Sequence, residues 1–281
     1  MFYQSIRIQI AIITKLINNT KFKIDKGDHL LDTHTHILWN IDDGSKNQCM
    51  SLQMLEIAAR SGTKAIFATP HVIERANKPS WEEIKEKTQQ LRQLCAEAQI
   101  DIMLYPGAEV QMNWELLPEL GATGAYCLNG GRYLLIELPA AEIPAYADEF
   151  WYELELKGIT PILAHPERYQ QLRENPDLLL LWRRRGMLMQ CNSGSFTGMF
   201  GSSVCENAKV LLANGLVDLL GSDGHRSEGR NTDMSRAAAV IRQLAGEEVL
   251  RQLTETNPQA ILKNQEIELK QPKVLLEDKP K

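Results

Sequence analysis

The sequence predicts an α/β fold in which seven parallel strands form a β/α barrel. Seven apolar runs of strand length alternate with segments of helical periodicity, an order that is typical of a parallel sheet. Nearly every run also ends, at its carboxyl side, in a residue that can bind a metal ion. The carboxyl ends of barrel strands converge on one face, where active sites are built. With 281 residues, of which 43% are hydrophobic, the chain can bury such a core as a single domain.

The individual elements follow from the apolar pattern. The seven predicted strands, in chain order, are HLLDTHTH (29–36), KAIFATPH (64–71), IDIMLYPGAEV (100–110), RYLLIEL (132–138), TPILAH (160–165), MLMQCN (187–192) and VDLLGSDGH (217–225). Apolar residues at helical spacing predict three helices, at Leu52, Leu55 and Ala59, at Trp81, Ile84, Thr88, Leu91 and Leu94, and at Met234, Ala237, Ile241 and Leu244.

Both ends of the chain are predicted to lie outside the barrel domain, which spans residues 27–264. In residues 1–26, isoleucines at helical spacing favour a short amphipathic helix that packs on the barrel or on a partner, rather than one that contacts a membrane. The longest uncharged run there, residues 8–14, is too short to span a bilayer. Residues 265–281 form a charged tail, interrupted by prolines, that is expected to fray.

Charge and cysteine usage narrow the class of protein. The formal net charge of −5, without a clustered basic stripe, argues against a general nucleic-acid binder, which needs a concentrated positive surface. The five cysteines form an odd set without C-x-x-C spacing. Neither a disulfide framework nor a zinc ribbon is therefore expected, and a reducing cytosol fits best.

The densest group of polar residues is the stretch LDTHTHILWNIDDGSK, which opens on the first strand. Side chains alternate along a strand, so Asp32, His34 and His36 share one face at intervals of about 6.6 Å. The metal-compatible residues at the strand ends are His34, His36, His71, Glu109, Glu137, His165, Asp223 and His225. A single histidine after a strand is more often structural, but this many at matching positions predict a metal site. Nitrogen and carboxylate donors without thiolates suit manganese, iron, cobalt or zinc.

Seven short motifs, DTHTH, DDG, TPH, GAEV, IELP, AHPER and SDGH, occur in this order. Together they resemble the polymerase and histidinol phosphatase (PHP) superfamily and, more narrowly, the bacterial manganese-dependent protein-tyrosine phosphatases of capsule and exopolysaccharide operons. The match extends from about Leu31 to Arg230 and leaves both ends of the chain unexplained. The resemblance implies a distorted seven-stranded barrel of the PHP type.

The resemblance also implies three divalent transition-metal ions, with Mn²⁺ expected and iron, cobalt or zinc as alternatives. The implied ligands fall into three sets: His34, His36, Glu109 and Asp223 for the first ion, Glu109, Glu137 and His165 for the second, and Asp43, His71 and His225 for the third. Glu109 would thus bridge two ions.

By the same resemblance, the centre hydrolyses phosphotyrosine through attack of a metal-bound hydroxide. Arg168 and Arg230 match the family's phosphate-facing arginines, and guanidinium groups bind phosphoryl oxygens in a bidentate way. The alternative for Arg168 is a structural role, capping a helix or pairing with Glu167. The implied partner is the phosphotyrosine tail of a membrane-bound bacterial tyrosine kinase that controls capsule or exopolysaccharide synthesis, and the implied location is cytoplasmic.

Several polar residues in and beside these motifs are predicted to support the metal ligands or the fold. Asp32 is predicted to hold the imidazoles of His34 and His36, since metal-bound histidines usually donate their other nitrogen to a carboxylate. Asp42 matches no ligand of the family and is predicted to shape the turn before Gly44. Asn192 either orients a water molecule or ends its strand. The basic triplet 183–185 ends a leucine-rich helix, where positive charge favourably meets the helix dipole, so its role is expected to be structural.

Other functions stay open on the sequence alone. The run CLNGGR separates Cys127 from Arg132 by four residues rather than the five of cysteine-dependent tyrosine phosphatases, and its paired glycines predict a hairpin. An amidohydrolase would not normally need His71 together with the D-x-H of the seventh strand. The remaining alternatives are a PHP phosphoesterase acting on a small substrate such as histidinol phosphate, a nuclease with the same metal core, and a non-catalytic metal-binding module that docks a kinase.

Overall fold

The computed structural model describes residues 29–121, 124–269 and 272. The predicted extension, residues 1–26, and most of the predicted tail lie outside the described residues. Within those ranges the chain forms an α/β fold whose parallel strands curl into a half-barrel. The predicted α/β class is therefore confirmed.

Nine strands lie in the described part of the chain, and each predicted strand run overlaps at least one. They are β1 (Leu30–Thr35), β2 (Thr63–Ala68), β3 (His71–Val72), β4 (Met103–Pro106), β5 (Glu109–Gln111), β6 (Tyr133–Glu137), β7 (Thr160–Ala164), β8 (Leu188–Asn192) and β9 (Leu219–Gly221).

The α-helices of the described residues follow or precede these strands. They are α1 (Gln48–Arg60), α2 (Trp81–Glu97), α3 (Ala147–Leu156), α4 (Gln170–Glu174), α5 (Pro176–Arg184), α6 (Ser193–Phe196), α7 (Ser202–Ala213), α8 (Ser235–Ala245), α9 (Glu247–Arg251) and α10 (Asn257–Leu262). The three predicted helices are confirmed as α1, α2 and α8. Asn47 and Ser80 cap α1 and α2 by accepting hydrogen bonds from backbone N–H groups of the first turn. Among these described helices, none is both long enough and apolar enough to cross a membrane.

All strand pairs are parallel and fall into two sheets. β1, β2 and β4 pair in that order, and β3, β5, β6, β7, β8 and β9 form the second sheet in that order. Residues 69–70 separate β2 from β3, and residues 107–108 separate β4 from β5. Pro70 contributes to the first break because it has no N–H for the ladder. A closed seven-stranded barrel is not confirmed, since its expected second and third strands are each divided in two.

The end of the last strand returns to the end of the first. The N–H of Asp223 donates to the carbonyl of His34 (2.7 Å), and the N–H of His36 donates to the carbonyl of Gly224 (3.0 Å). These two bonds bring the first and last segments of the predicted metal site side by side.

Alternate residues of the central strands pack into two different apolar clusters. Leu135 and Ile162 belong to a smaller cluster of buried residues. Their chain neighbours Leu134 and Leu163 belong to a larger one, which includes Leu154 from α3. Because successive side chains of a strand point to opposite faces, this alternation buries the sheet on both sides. The rigid sheet then presents its carboxyl ends as a platform for the polar residues.

The basic triplet 183–185 has the structural role that the sequence predicts. α5 ends within it, and Arg183 is buried in an ion pair with Asp218, whose Oδ1 lies 2.7 Å from Arg183 Nη2. The other carboxylate oxygen of Asp218 accepts the N–H of Met189 in β8 (2.8 Å). The pair therefore joins the end of α5 to the sheet.

Candidate metal centre

All nine predicted metal ligands come together at the carboxyl ends of the strands. Four of them form the most buried group: His34, His36, Glu109 and Asp223. The Nε2 atoms of His34 and His36 lie 3.1 Å apart, and Glu109 Oε2 lies 3.1 and 3.2 Å from them. Asp223 Oδ1 completes the group at 3.5 and 3.4 Å from the same two nitrogens.

The ligand atoms of His34, His36 and Asp223 all lie within 4.8 Å of one another, a spacing that fits one bound cation. Donors placed tetrahedrally about 2.0–2.1 Å from an ion lie roughly 3.3–3.4 Å from one another, close to the distances from the two imidazole nitrogens given above. Glu109 Oε2 and Asp223 Oδ1 are buried and have no hydrogen-bond partner within the described protein. Leaving a buried polar atom unsatisfied costs about 1–3 kcal/mol, and more for a charged group. A cation bound beside these carboxylate oxygens would remove that cost, so the residues fit a metal ion.

The other ring nitrogen of each central imidazole has a defined partner. His34 Nδ1 lies 2.9 Å from Gln190 Oε1, and His36 Nδ1 lies 2.7 Å from Asp42 Oδ2. Metal-bound histidines characteristically donate this second N–H, which fixes the tautomer and aims Nε2 at the ion. Asp42 also accepts the N–H of Gly44 (2.8 Å), so it shapes the turn as predicted and in addition orients His36. Sequence reasoning missed Gln190, although it lies two residues before Asn192 on the same strand face.

The prediction that Asp32 holds the imidazoles is wrong. Its carboxylate is fully buried and accepts the N–H of Ser222 (2.8 Å), the N–H of His34 (3.2 Å) and the hydroxyl of Thr35 (2.9 Å). Burial raises the pKa of Asp32, although these donors oppose the rise. With its oxygens taken by local donors, Asp32 joins β1 to the end of β9 rather than orienting a ring.

A second group lies beside the first and shares Glu109 with it. His71 Nδ1 is 3.1 Å from Glu109 Oε2 and 3.3 Å from Glu137 Oε1. His165 Nε2 is 2.8 Å from the other oxygen of the same carboxylate, Glu109 Oε1. The resemblance groups Glu137 with His165, whereas the structure places His71 with Glu137. The carboxylate of Glu109 lies between the two groups, where a bridging ligand must be.

The outermost group contains Asp43, His71 and His225, with His36 behind them, and its ligand atoms lie within 4.8 Å of one another. His225 Nε2 is 3.3 Å from Asp43 Oδ1, and His71 Nε2 is 3.8 Å from the same oxygen. His71 can take part in two groups because its ring nitrogens point to opposite edges. Asp43 has a side chain that is 64% exposed, so this group faces the solvent.

Electrostatics in the cluster favour charged carboxylates. Burial would raise the pKa of Glu109, but the neighbouring charges of His34 and His71 outweigh it and hold that pKa well below its usual value. Burial lowers the pKa of His225 to about 4, and nearby His36 adds to the effect. Ionised carboxylates and a neutral imidazole are the protonation states in which these side chains bind metals.

Two ligand candidates have a backbone conformation that non-glycine residues rarely adopt. His165 has φ +37° and Asp223 has φ +53°. His165 directly follows β7, and Asp223 lies two residues after the end of β9. At both positions the chain leaves the sheet on the face that carries the metal ligands. Such conformations concentrate at functional sites, where the surrounding structure holds them.

Two arginines converge on the same carboxylate. Arg168 Nη1 lies 3.3 Å from Asp223 Oδ2, and Arg230 Nη2 donates to that same oxygen. Asn192 Nδ2 donates to it as well, at 2.6 Å. Oδ2 is thus held by three donors, which leaves Oδ1 for the buried group. Glu167 instead accepts bonds from the N–H of Asn192 and from a serine hydroxyl, so it does not tie down Arg168.

The run CLNGGR does not form a thiolate site. A short 3₁₀ helix (Leu128–Gly130) follows Cys127 and leads into β6, which pairs only with parallel neighbours, so the predicted hairpin is wrong. Asn129 (φ +53°) and Gly130 (φ +67°) supply the turn without a returning strand. Cys127 is fully buried, and burial raises the pKa of its thiol to about 12.

Known proteins with similar sequences belong to one family and include tyrosine-protein phosphatases. The family model for capsular polysaccharide synthesis proteins CpsB/CapC matches residues 30–263. The tyrosine-protein phosphatase YwqE of Bacillus subtilis (strain 168) is 34% identical over 238 residues, which cover 85% of this chain and 93% of YwqE.

Solved structures give the same picture. The chain matches a crystal structure from work on YwqE of Bacillus subtilis and CpsB of Streptococcus pneumoniae, described as unique metal-dependent tyrosine phosphatases. That match has a TM-score of 0.82 and 33% identity and covers 86% of this chain and 98% of the other. The histidinol phosphate phosphatase of Lactococcus lactis shares the fold at a TM-score of 0.52 and 16% identity, over 78% of this chain and 94% of the other.

Proposed function

The chain belongs to the CpsB/CapC family of capsular polysaccharide synthesis, and on that basis we propose that it is a metal-dependent tyrosine-protein phosphatase. The family predicted from the motifs is confirmed. The proposed reaction is hydrolysis of the phosphate monoester of tyrosine.

The position of Asp223 supports this function independently of family membership. A buried group of metal-ligand atoms and a pair of arginines meet at one carboxylate, Asp223, whose two oxygens face the two sides. Hydrolysis of a phosphate monoester needs both an activated water and positive charge beside the phosphoryl oxygens. The group of metal-ligand atoms on one side of Asp223 would provide the activated water, and the two arginines on the other side provide the positive charge.

The residues proposed to hold the metal ions are His34, His36, Asp43, His71, Glu109, Glu137, His165, Asp223 and His225. We propose three divalent ions, with Mn²⁺ as the expected metal. When bound, such ions supply a hydroxide nucleophile near neutral pH and offset the charge on the phosphoryl oxygens. The buried carboxylate of Glu109, reached from both sides, is the proposed bridging ligand.

Arg168 and Arg230 are proposed to bind the phosphoryl group. Their side chains are 33% and 28% exposed, so a substrate can reach them from solvent while Asp223 anchors them from below. Guanidinium groups present several N–H donors in a plane, and the donors not bonded to Asp223 are free to bind a phosphoryl oxygen. The leaving phenolate has a pKa of about 10, so it departs without a strong general acid.

The finer architecture and the partner are proposals of the same kind. If β2 and β3 count as one strand, and β4 and β5 as another, there are seven strand positions. The bonds from Asp223 to His34 and from His36 to Gly224 then support a distorted, closed barrel as the core of the proposed domain, residues 27–264. The proposed substrate is the phosphotyrosine tail of a bacterial tyrosine kinase. The relation to capsular polysaccharide synthesis supports that choice.

A substrate panel tests the activity. The Mn²⁺-loaded protein should hydrolyse a phosphotyrosine peptide, while histidinol phosphate and an oligonucleotide serve as competing substrates. Preference for histidinol phosphate would transfer the assignment to a small-molecule phosphatase, and preference for the oligonucleotide to a nuclease. Absence of turnover on all three with full metal loading would leave a binding module.

A further inference from the structure

The two arginines of the site share an aromatic ring as well as a carboxylate. The guanidinium carbon of Arg168 lies 4.7 Å from the ring centroid of Phe200, and that of Arg230 lies 5.6 Å from it. A cation within about 6 Å of a ring centroid is attracted by the negative face of the π-system. Phe200 belongs to none of the predicted motifs.

The position of this ring is set by a tight turn that follows α6. The N–H of Met199 donates to the carbonyl of Gly194 (3.0 Å), and the N–H of Gly201 donates to the carbonyl of Gly198 (3.1 Å). Gly198, with φ +84°, has the left-handed conformation that glycine adopts without strain. A Cβ atom at Gly194 would lie 3.2 Å from Phe200 Cε2, so the ring packs closely against bare backbone. The ring is therefore held by the turn after α6 and by the backbone of Gly194 within that helix.

An aromatic ring can hold the two guanidinium groups without occupying their N–H donors, which a second carboxylate would occupy. Arg168 and Arg230 share a single carboxylate oxygen, Asp223 Oδ2, so their guanidinium groups lie near one another and repel, and each is partly exposed to solvent. A carboxylate would hold them by using their N–H donors, which then could not bind a phosphoryl oxygen. A ring attracts the cation electrostatically and leaves those N–H donors free.

We propose that Phe200 is a positioning residue that keeps Arg168 and Arg230 together, with free N–H donors facing the phosphoryl group. This rests on the proposed function in one respect, the nature of the anion. The role depends on the charge distribution of the ring and not only on its size. A ring that merely filled space would be replaceable by any apolar side chain of similar volume.

Fluorination of the ring separates these two roles. In the full-length Mn²⁺-loaded protein, Phe200 is replaced by fluorinated phenylalanines with one, two and three fluorines, which weaken the negative ring face while nearly keeping its shape. The dissociation constant for inorganic phosphate is measured by calorimetry, and metal content by elemental analysis. We expect affinity to fall stepwise, by about tenfold over the series, with metal content unchanged. Phe200→Leu should match the trifluorinated protein, and Phe200→Tyr should stay near the wild type.

Met199→Leu is the matched control, because Met199 is the neighbour of Phe200 in the same turn, is 47% exposed and carries no aromatic ring. Its phosphate affinity should equal that of the wild type. A flat fluorine series, or equal losses in Phe200→Leu and Phe200→Tyr, would overturn the positioning role. If Phe200→Leu does not fold, the fluorine series alone decides. Phosphate binding needs no turnover, so a protein that shows the trend but does not hydrolyse phosphotyrosine would contradict only the proposed function.

Discussion

The amide of Asn192 holds the carboxylate of Asp223, with Nδ2 donating to Oδ2 across 2.6 Å. The oxygen of the same amide accepts from Gln190 Nε2 (3.1 Å), and Gln190 Oε1 lies 2.9 Å from His34 Nδ1. Two amides from one strand, β8, therefore join two ligand candidates of the buried group. Because the strand is buried and regular, it can hold His34 and Asp223 at a fixed separation.

Replacing Asn192 should therefore weaken metal binding without removing a ligand. We expect Asn192→Ala to raise the Mn²⁺ dissociation constant by about 10–100-fold, the usual effect of losing a partner that orients a ligand. Asn214→Ala, which removes an amide at the end of α7, is the control for a lost buried asparagine and should leave the constant unchanged. Metal titration of both variants provides the comparison, and equal affinities would show that Asn192 only ends its strand.

Removing the shared carboxylate should have the largest effect on metal content. Glu109 is within 3.2 Å of His34, His36 and His71 through one oxygen and within 2.8 Å of His165 through the other. Glu109→Gln keeps the shape but removes the charge, so we expect the loss of at least one ion per chain and of most activity. Elemental analysis compares the metal content of Glu109→Gln with that of Asp43→Asn, which changes only the exposed group. The loss of metal should be larger in Glu109→Gln. A Glu109→Gln protein with normal metal content and turnover would exclude a bridging role.

Removing either arginine should lower turnover and spare the metal. Arg168→Ala and Arg230→Ala each lose a charge-assisted contact worth about 1.5–3 kcal/mol, so kcat/KM should fall by roughly 10–100-fold. Lysine should restore little, because it offers a point charge rather than a planar fork. Steady-state kinetics on a phosphotyrosine peptide and metal analysis are both needed. A variant that loses metal or unfolds would identify that arginine as structural.

The sequence predicted the site better than it predicted the groups within it. The carboxyl ends of parallel strands lie on one side of the sheet irrespective of loop conformation. The alternation of strands and helices along the chain was therefore enough to place His34, Glu109 and His165 on one face. Which ligand pairs with which depends on side-chain rotation, and the sequence does not encode that locally. His71 reaches Glu137 for this reason.

Contacts that the sequence does not encode locally also explain why the closed barrel, the role of Asp32 and the role of Phe200 were not predicted correctly. Hydrophobic periodicity cannot show that the hydrogen-bond ladder between strands is interrupted at Pro70. The residues on both sides of Pro70 remain largely buried, so the apolar pattern continues through the break. Asp32 lies on the correct face of β1 by alternation, yet nearby backbone donors take its carboxylate. Phe200 gave no signal, since its role arises from two arginines that are distant in the chain.

Metal binding should release protons and strengthen as the pH rises. Burial alone would lower the pKa of His36, but Asp42 and the other carboxylates outweigh it and raise that pKa well above 6.5 in the metal-free protein. A proton on His36 then competes with the ion and is shed as the pH rises through the raised pKa. His225, with a pKa lowered to about 4, is already neutral and releases none.

Calorimetry of Mn²⁺ binding in buffers of different ionisation enthalpy measures this release directly. We expect proton release at neutral pH, and affinity that increases from mildly acidic to alkaline pH. Asp42→Asn should reduce the release because it removes the charge that raises the pKa of His36. Binding that is independent of pH and of the buffer would contradict the protonation of the buried imidazoles.

The last prediction separates the two ways in which a protein can dephosphorylate tyrosine. A thiolate enzyme needs an ionised cysteine, but burial raises the pKa of Cys127 to about 12, so at neutral pH its thiol stays protonated. We therefore expect Cys127→Ser to retain activity, apart from a modest loss of stability from placing a hydroxyl in an apolar site.

A strong chelator should abolish the activity of both the wild type and Cys127→Ser, and added Mn²⁺ should restore it. Cys49→Ser, at an exposed position, is the control for changes in thiol number. Iodoacetamide should leave the metal-loaded wild type active, because the thiol that it would have to alkylate is buried and protonated. Hydrolysis of a phosphotyrosine peptide that resists the chelator and disappears in Cys127→Ser would overturn the metal-dependent assignment, since only a covalent thiol mechanism produces that combination.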